Sequence, residues 1–260
     1  MNLKKAYSIA IKDLHEVFSS VEIFGPMLGV PLFFALVLPF LTFYVTQHSG
    51  SSVLAGLLSA PASAAGIPSA QGFLFMAFFS VSVLGPIFLT MPILTASVIA
   101  ADSFAGEKER KTSEALLATP VSISELLLGK IIASFIPTVL LTIAVFAIYG
   151  YVTNYLAFQS FGSTILPTAP WLMMLFVAPF LAIGTIGIVV LVSSHVKGIK
   201  EAQQISTLLV LPILVMPFIA ILGIADLSVS FFAWTAFFLA IIDVAIVYTG
   251  VKSFKKENML

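Results

Sequence analysis

Residues 73–111 read FLFMAFFSVSVLGPIFLTMPILTASVIAADSFAGEKERK. The first 29 carry no charge, and six of the last ten are Asp, Glu, Lys or Arg. A helix needs about 20 apolar residues to cross roughly 30 Å of hydrocarbon, so the run predicts one membrane crossing followed by a return to water. The same bareness extends on both sides: no charge lies between Phe24 and Ala101, and none between Ile131 and Val196. Over the 260 residues only 9% are charged and 60% are apolar, against about 25% charged in soluble domains. The chain is therefore expected to be an all-α integral membrane protein.

Six apolar stretches qualify as spans: Phe24–Thr46, Phe73–Ala101, Leu126–Tyr149, Trp171–Ser193, Ile205–Ile224 and Phe231–Val251. All twelve Lys and Arg fall in alternate connections: before the first span, around Lys108 to Lys130, at Lys197 and Lys200, and after the last. The connections 47–72, 150–170 and 225–230 hold none. Cationic residues are held on the cytoplasmic side during insertion, so this register predicts that both termini are cytoplasmic. The last two spans are short and closely joined, so half-helices that dip in and return are an alternative there. Prolines inside most spans, among them Pro86, Pro92, Pro137, Pro179 and Pro212, are expected to bend them.

Twelve acidic residues balance the cations, so net charge predicts no nucleic-acid partner, and the absence of cysteine rules out thiol metal sites. Asp13, Glu16 and Glu22 interrupt what would be a signal peptide's apolar core, so no cleaved signal is expected. Leu3, Tyr7, Ala10, Leu14, Val17 and Val21 recur at helical spacing, which predicts an amphipathic helix over residues 1–23 lying in the interface.

The connection 102–130, DSFAGEKERKTSEALLATPVSISELLLGK, holds nine of the 24 ionisable Asp, Glu, Lys and Arg side chains. Gly106 is expected to break the second span. Glu107 and Lys111 have the spacing of a helical turn, Glu114 to Thr119 predict a short helix that Pro120 stops, and Ser122 with Glu125 predicts a capping box. A brief helix carrying the pair Leu116 and Leu117 among charges suits docking to another protein; an ordinary solvated loop has the same composition.

The run FAGEKERKTSEALLATPVSISELLLGK resembles the signature of the ABC type-2 permeases, the membrane subunits of ATP-binding-cassette exporters. The N-terminal amphipathic segment matches that family's elbow helix, and VSSHVKGIKEAQQISTLLVLPIL is similar to its connection into the fifth span. The resemblance implies a single transmembrane domain, 1–260, with 102–125 as the cytoplasmic coupling region. Glu114 to Thr119 would seat in a cleft of a separate ATPase subunit, Leu116, Leu117 and Pro120 would belong to that contact, and Glu107, Lys108, Glu109 and Arg110 would flank it. It further implies two permease halves, identical or not, in the cell membrane, with ATP and Mg held by the partner ATPases and no cofactor in this chain. No G-x-x-x-x-G-K-[ST] loop occurs, since Gly129-Lys130 is followed by Ile131.

An intramembrane hydrolase is disfavoured: His15, His48 and His195 are far apart, and neither H-E-x-x-H nor G-x-S-x-G occurs. No catalytic residue and no metal site are expected. The stronger alternative is an ion-coupled or ion-exporting carrier, because Asp243 lies within the sixth span, roughly 13 Å from its Lys252 end at 1.5 Å per residue. Ionisable groups at that depth are costly and mark candidate substrate or ion paths.

Overall fold

A backbone surrounded by hydrocarbon must satisfy its own polar groups, and a helix does so within one segment. The computed structural model describes residues 3–57, 68–110, 122–193, 196, 198–222, 224 and 227–253, and the regular elements among them are all helical. They are α1 (Leu3–Ser19), α2 (Val21–Leu57), α3 (Pro68–Phe78), α4 (Leu84–Phe88), α5 (Thr90–Ala101), α6 (Glu107–Glu109), α7 (Ile123–Phe161), α8 (Ala169–Ser193), α9 (Ile199–Thr207), α10 (Val210–Ile221) and α11 (Val229–Ser253). Two π-helical turns, Phe79–Val83 and Asp102–Gly106, join α3 to α4 and α5 to α6. Six stretches are long and apolar enough to cross a membrane: Met27–His48, Gly72–Gly106, Ser124–Phe161, Ala169–Ser193, Ile199–Met216 and Val229–Ile246. They coincide with the six predicted spans, and the chain is a multi-pass membrane protein.

Several boundaries differ from expectation. At 39 residues α7 is about 58 Å long, well beyond the hydrocarbon thickness, and runs past the expected end at Tyr149 to Phe161. Once outside the hydrocarbon a helix no longer has to be apolar, so Asn154 and Gln159 belong to it. Gly162, at φ 68°, ends it. Asn154 then fixes the turn beyond: its Oδ1 accepts from the Ile165 and Leu166 amides at 2.9 and 2.8 Å. Gly106 does not break the second span as expected, because the helical path continues through it to Glu109.

Proline explains where the second and fifth spans are interrupted. A proline at position i cannot donate to the carbonyl four residues earlier, and its ring crowds that carbonyl. Pro92 falls four residues after Phe88, where α4 ends, and Pro212 falls four after Leu208, between α9 and α10. At both places tighter bonds take over, from Leu89 N to Pro86 O at 3.0 Å and from Leu208 N to Ile205 O at 3.2 Å. Pro137 and Pro179 sit inside continuous helices instead.

The fifth span lies antiparallel to the second along its whole length. Ile199 meets Glu109 at the charged end, Ser206 Oγ lies 2.6 Å from Ser97 Oγ further along, and α10 packs on α4 and the Phe79–Val83 turn beyond that. The chain thus keeps one direction across its joint, and the half-helix alternative is not found in this span. The sixth runs alongside the fourth, with Asp243 beside Gly184 at nearly the same distance from the start of each helix.

A buried aromatic group ties α4, α7 and α8 together: ring centroids are 4.4 Å apart for Phe88 and Tyr149, 4.5 Å for Phe146 and Trp171, and 5.1 Å for Tyr149 and Trp171. Tyr149 also donates its hydroxyl to the Ser80 carbonyl at 3.2 Å, inside the first π turn. Exposed Phe33, Phe40, Leu140 and Phe237 cover the outer faces of the spans.

Helix α1 packs on α7 through Ala6, Ala10, Asp13 and Val17. Tyr7, placed by its spacing on the same face as Ala10 and Val17, is exposed instead, together with Ile11 and Phe18. The helix therefore has one face against protein and a second, exposed face that carries Tyr7, Ile11 and Phe18.

Candidate functional site

The charged end of the bundle is built where span two ends. Lys130, two turns inside α7, is 1% exposed. A lone ammonium there would be very unfavourable, and its environment supplies compensation. Nζ lies 2.7 Å from Glu107 Oε2, donates to the Ser103 carbonyl and sits 5.1 Å above the centre of the Phe104 ring. Ser103 in turn donates its hydroxyl to Asp13 Oδ2 at 3.0 Å, which brings α1 into the same cluster.

Gly129 makes this approach feasible. A Cβ there would fall 2.7 Å from the Ala6 carbonyl oxygen and 2.9 Å from Ile9 Cβ, so only glycine lets α1 lie this close to α7.

Arg110 bridges two carboxylates, with Nη2 2.7 Å from Asp102 Oδ1 and Nη1 3.1 Å from Glu16 Oε1. Glu109 turns the other way, and its Oε2 accepts from the Ile199 amide at 3.0 Å, at the start of α9. A cavity of about 590 Å³ opens between the α1–α2 junction and α9, lined by Ser20, Val98, Asp102, Glu109, Arg110 and Gln203 among others.

Glu107, Glu109 and Arg110 thus gather at one place, and each ties a different element to the end of span two: α7, α9 and α1. Lys108 lies in α6 but its side chain is outside the described residues, as are Glu114, Leu116, Leu117 and Pro120. Where the chain is described again, the capping box predicted for Ser122 and Glu125 is present, with bonds of 3.3 Å to Ser122 Oγ and 3.1 Å from Ser122 N.

Asp243 is not part of this cluster. It sits well within α11, 5% exposed, with its carboxylate against Gly184, where a Cβ would lie 2.7 Å from Oδ1. Neither of its oxygens has a hydrogen-bond partner among the described residues.

The partners of the charged run, Asp13, Glu16, Asp102, Ser103 and Lys130, were not among the expected site residues. One signal was available for Asp13: a carboxylate three residues after Ala10 and four before Val17 occupies the buried face of an amphipathic helix, where it needs a partner.

No curated protein matches the sequence. Residues 7–242 match the family described as ABC-2 family transporter protein. A match from the first helix to Ile242 in the last, on a chain of six apolar crossings, places this protein in the ABC-2 family, as a transporter permease.

Proposed function

We propose that this permease exports its substrate across the cytoplasmic membrane, driven by a separate ATP-binding-cassette ATPase that docks on a coupling helix between spans two and three. ATP and Mg belong to that partner, and a second permease half completes the path. The observation that carries the reading is the arrangement around the 111–121 segment. The residues leading into it, Glu107, Glu109 and Arg110, hold α7, α9 and α1, and the Ser122–Glu125 box anchors its exit to α7. A force on the segment therefore reaches four of the bundle's elements at once, counting span two itself. The cationic residues of alternate connections support a cytoplasmic position for this end and for both termini.

A second reading, ion coupling through Asp243, draws on its buried carboxylate without a described partner. One assay separates the two: the permease and its ATPase reconstituted in vesicles, with transport and ATP hydrolysis followed together. Leu116→Ala with Leu117→Ala is expected to abolish ATPase docking and transport; full transport with that pair removed would sink the coupling-helix reading. Asp243→Asn is expected to leave transport intact without lowering stability, since it replaces a buried carboxylate that has no described partner. Loss of transport with docking retained would favour the ion path.

A further inference from the structure

Helix α9 starts without a cap of its own. Its N-cap residue is Gly198, extended at φ −164° and ψ 176°, with no side chain to accept from the first turn. Glu109 Oε2 fills that role from 90 positions earlier, accepting from the Ile199 amide at 3.0 Å. A carboxylate suits the positive end of a helix, and the charge strengthens the bond. The fit depends on glycine, since a Cβ at Gly198 would stand 2.9 Å from that oxygen.

The ties from the end of span two to α7 and to α9 differ in how readily they open; the third, between Arg110 and Glu16, is exposed but holds α1 and not span five. Lys130 is enclosed and Glu107 only partly exposed, and separating them would strand a buried cation. Glu109 is exposed and borders the 590 Å³ cavity, so its side chain has room to swing off the α9 terminus into water. Span five also has a joint between Thr207 and Val210, which lets α9 turn while α10 keeps its seat on α4.

We infer that Glu109 is a positioning residue of the transport cycle: its cap on α9 is the releasable link by which the 111–121 segment moves the near half of span five, while α7 moves with span two through the fixed Lys130–Glu107 pair. The inference rests on the ATPase-docking reading above and assigns that movement to one bond.

The chain has no cysteine, so single thiols report cleanly. Gln204→Cys, on the exposed side of α9, and Ser124→Cys, exposed in the first turn of α7, are placed in the full permease–ATPase complex in nanodiscs. Their maleimide labelling rates on the permease are compared without nucleotide and after vanadate trapping with ATP. With Glu109 present, both positions are expected to change rate on trapping. Glu109→Ala is expected to remove the change at Gln204→Cys and keep it at Ser124→Cys, with Glu109→Gln retaining part of it.

Gly198→Ala gives a second route that does not threaten the fold. Its extended backbone suits any residue, and the atom it meets ends a flexible side chain, so it displaces the carboxylate and should reproduce Glu109→Ala. Persistence of the nucleotide response at Gln204→Cys in both variants overturns the inference, as does loss at both reporter positions or no response there with Glu109 in place. Failure of any ATPase to bind the unaltered permease overturns the docking reading instead.

Discussion

Lys130 holds its ammonium 2.7 Å from Glu107 in a site that is 1% exposed, so removing the carboxylate's charge leaves a cation enclosed by Phe104, Ser103 and the packed end of α7. Breaking a buried pair from one side costs about 3–5 kcal/mol, whereas replacing both partners with apolar groups costs much less. Glu107→Gln is therefore expected to lower stability by that order in chemical unfolding in detergent. Adding Lys130→Met to it should recover much of the loss; strictly additive losses would show that the two side chains do not depend on each other. At this scale sequence reading went only part of the way. The charges of Glu107, Glu109 and Arg110 are conspicuous after a bare span, but their partners lie as far away as Glu16, 94 positions earlier, and no local spacing encodes such a pairing.

Among the elements, the spans were legible because hydrocarbon imposes a length and a composition on each of them. What lies past the hydrocarbon escapes that rule, which is why the last turns of α7 read as a loop. The joints in spans two and five lie four residues before Pro92 and Pro212, but Pro137 and Pro179 look the same in sequence and leave their helices continuous. Neighbouring packing decides between these outcomes. The contact of α1 with α7 is a similar case, visible only once Gly129 is seen against the Ala6 carbonyl. Gly129→Val should push α1 away, with a destabilisation of about 1–3 kcal/mol as for other overpacked sites. The check is tryptic cleavage after Lys12, expected to accelerate in the variant; an unchanged rate would mean that α1 tolerates the displacement.

For the whole molecule, the proposed orientation makes a simple prediction. Lys4 is exposed on α1 near the charged end, and Ser163 is exposed in the turn after α7 at the opposite end. With Lys4→Cys and Ser163→Cys as separate single-thiol chains, a membrane-impermeant maleimide added to intact cells should label only the second. The reverse pattern would invert the topology and put the coupling region on the wrong side for an ATPase.

The long-range pairing at the charged end also bears on how the chain is made. Asp13 and Glu16 leave the ribosome some 90 residues before Ser103 and Arg110, and Lys130 follows only with the third span. Until then Glu107 has no Lys130 to meet, and α1 has no α7 to rest on. This corner therefore closes only once the third span has been made, and a chain stopped before Lys130 would leave α1 unseated and Glu107 without that ammonium.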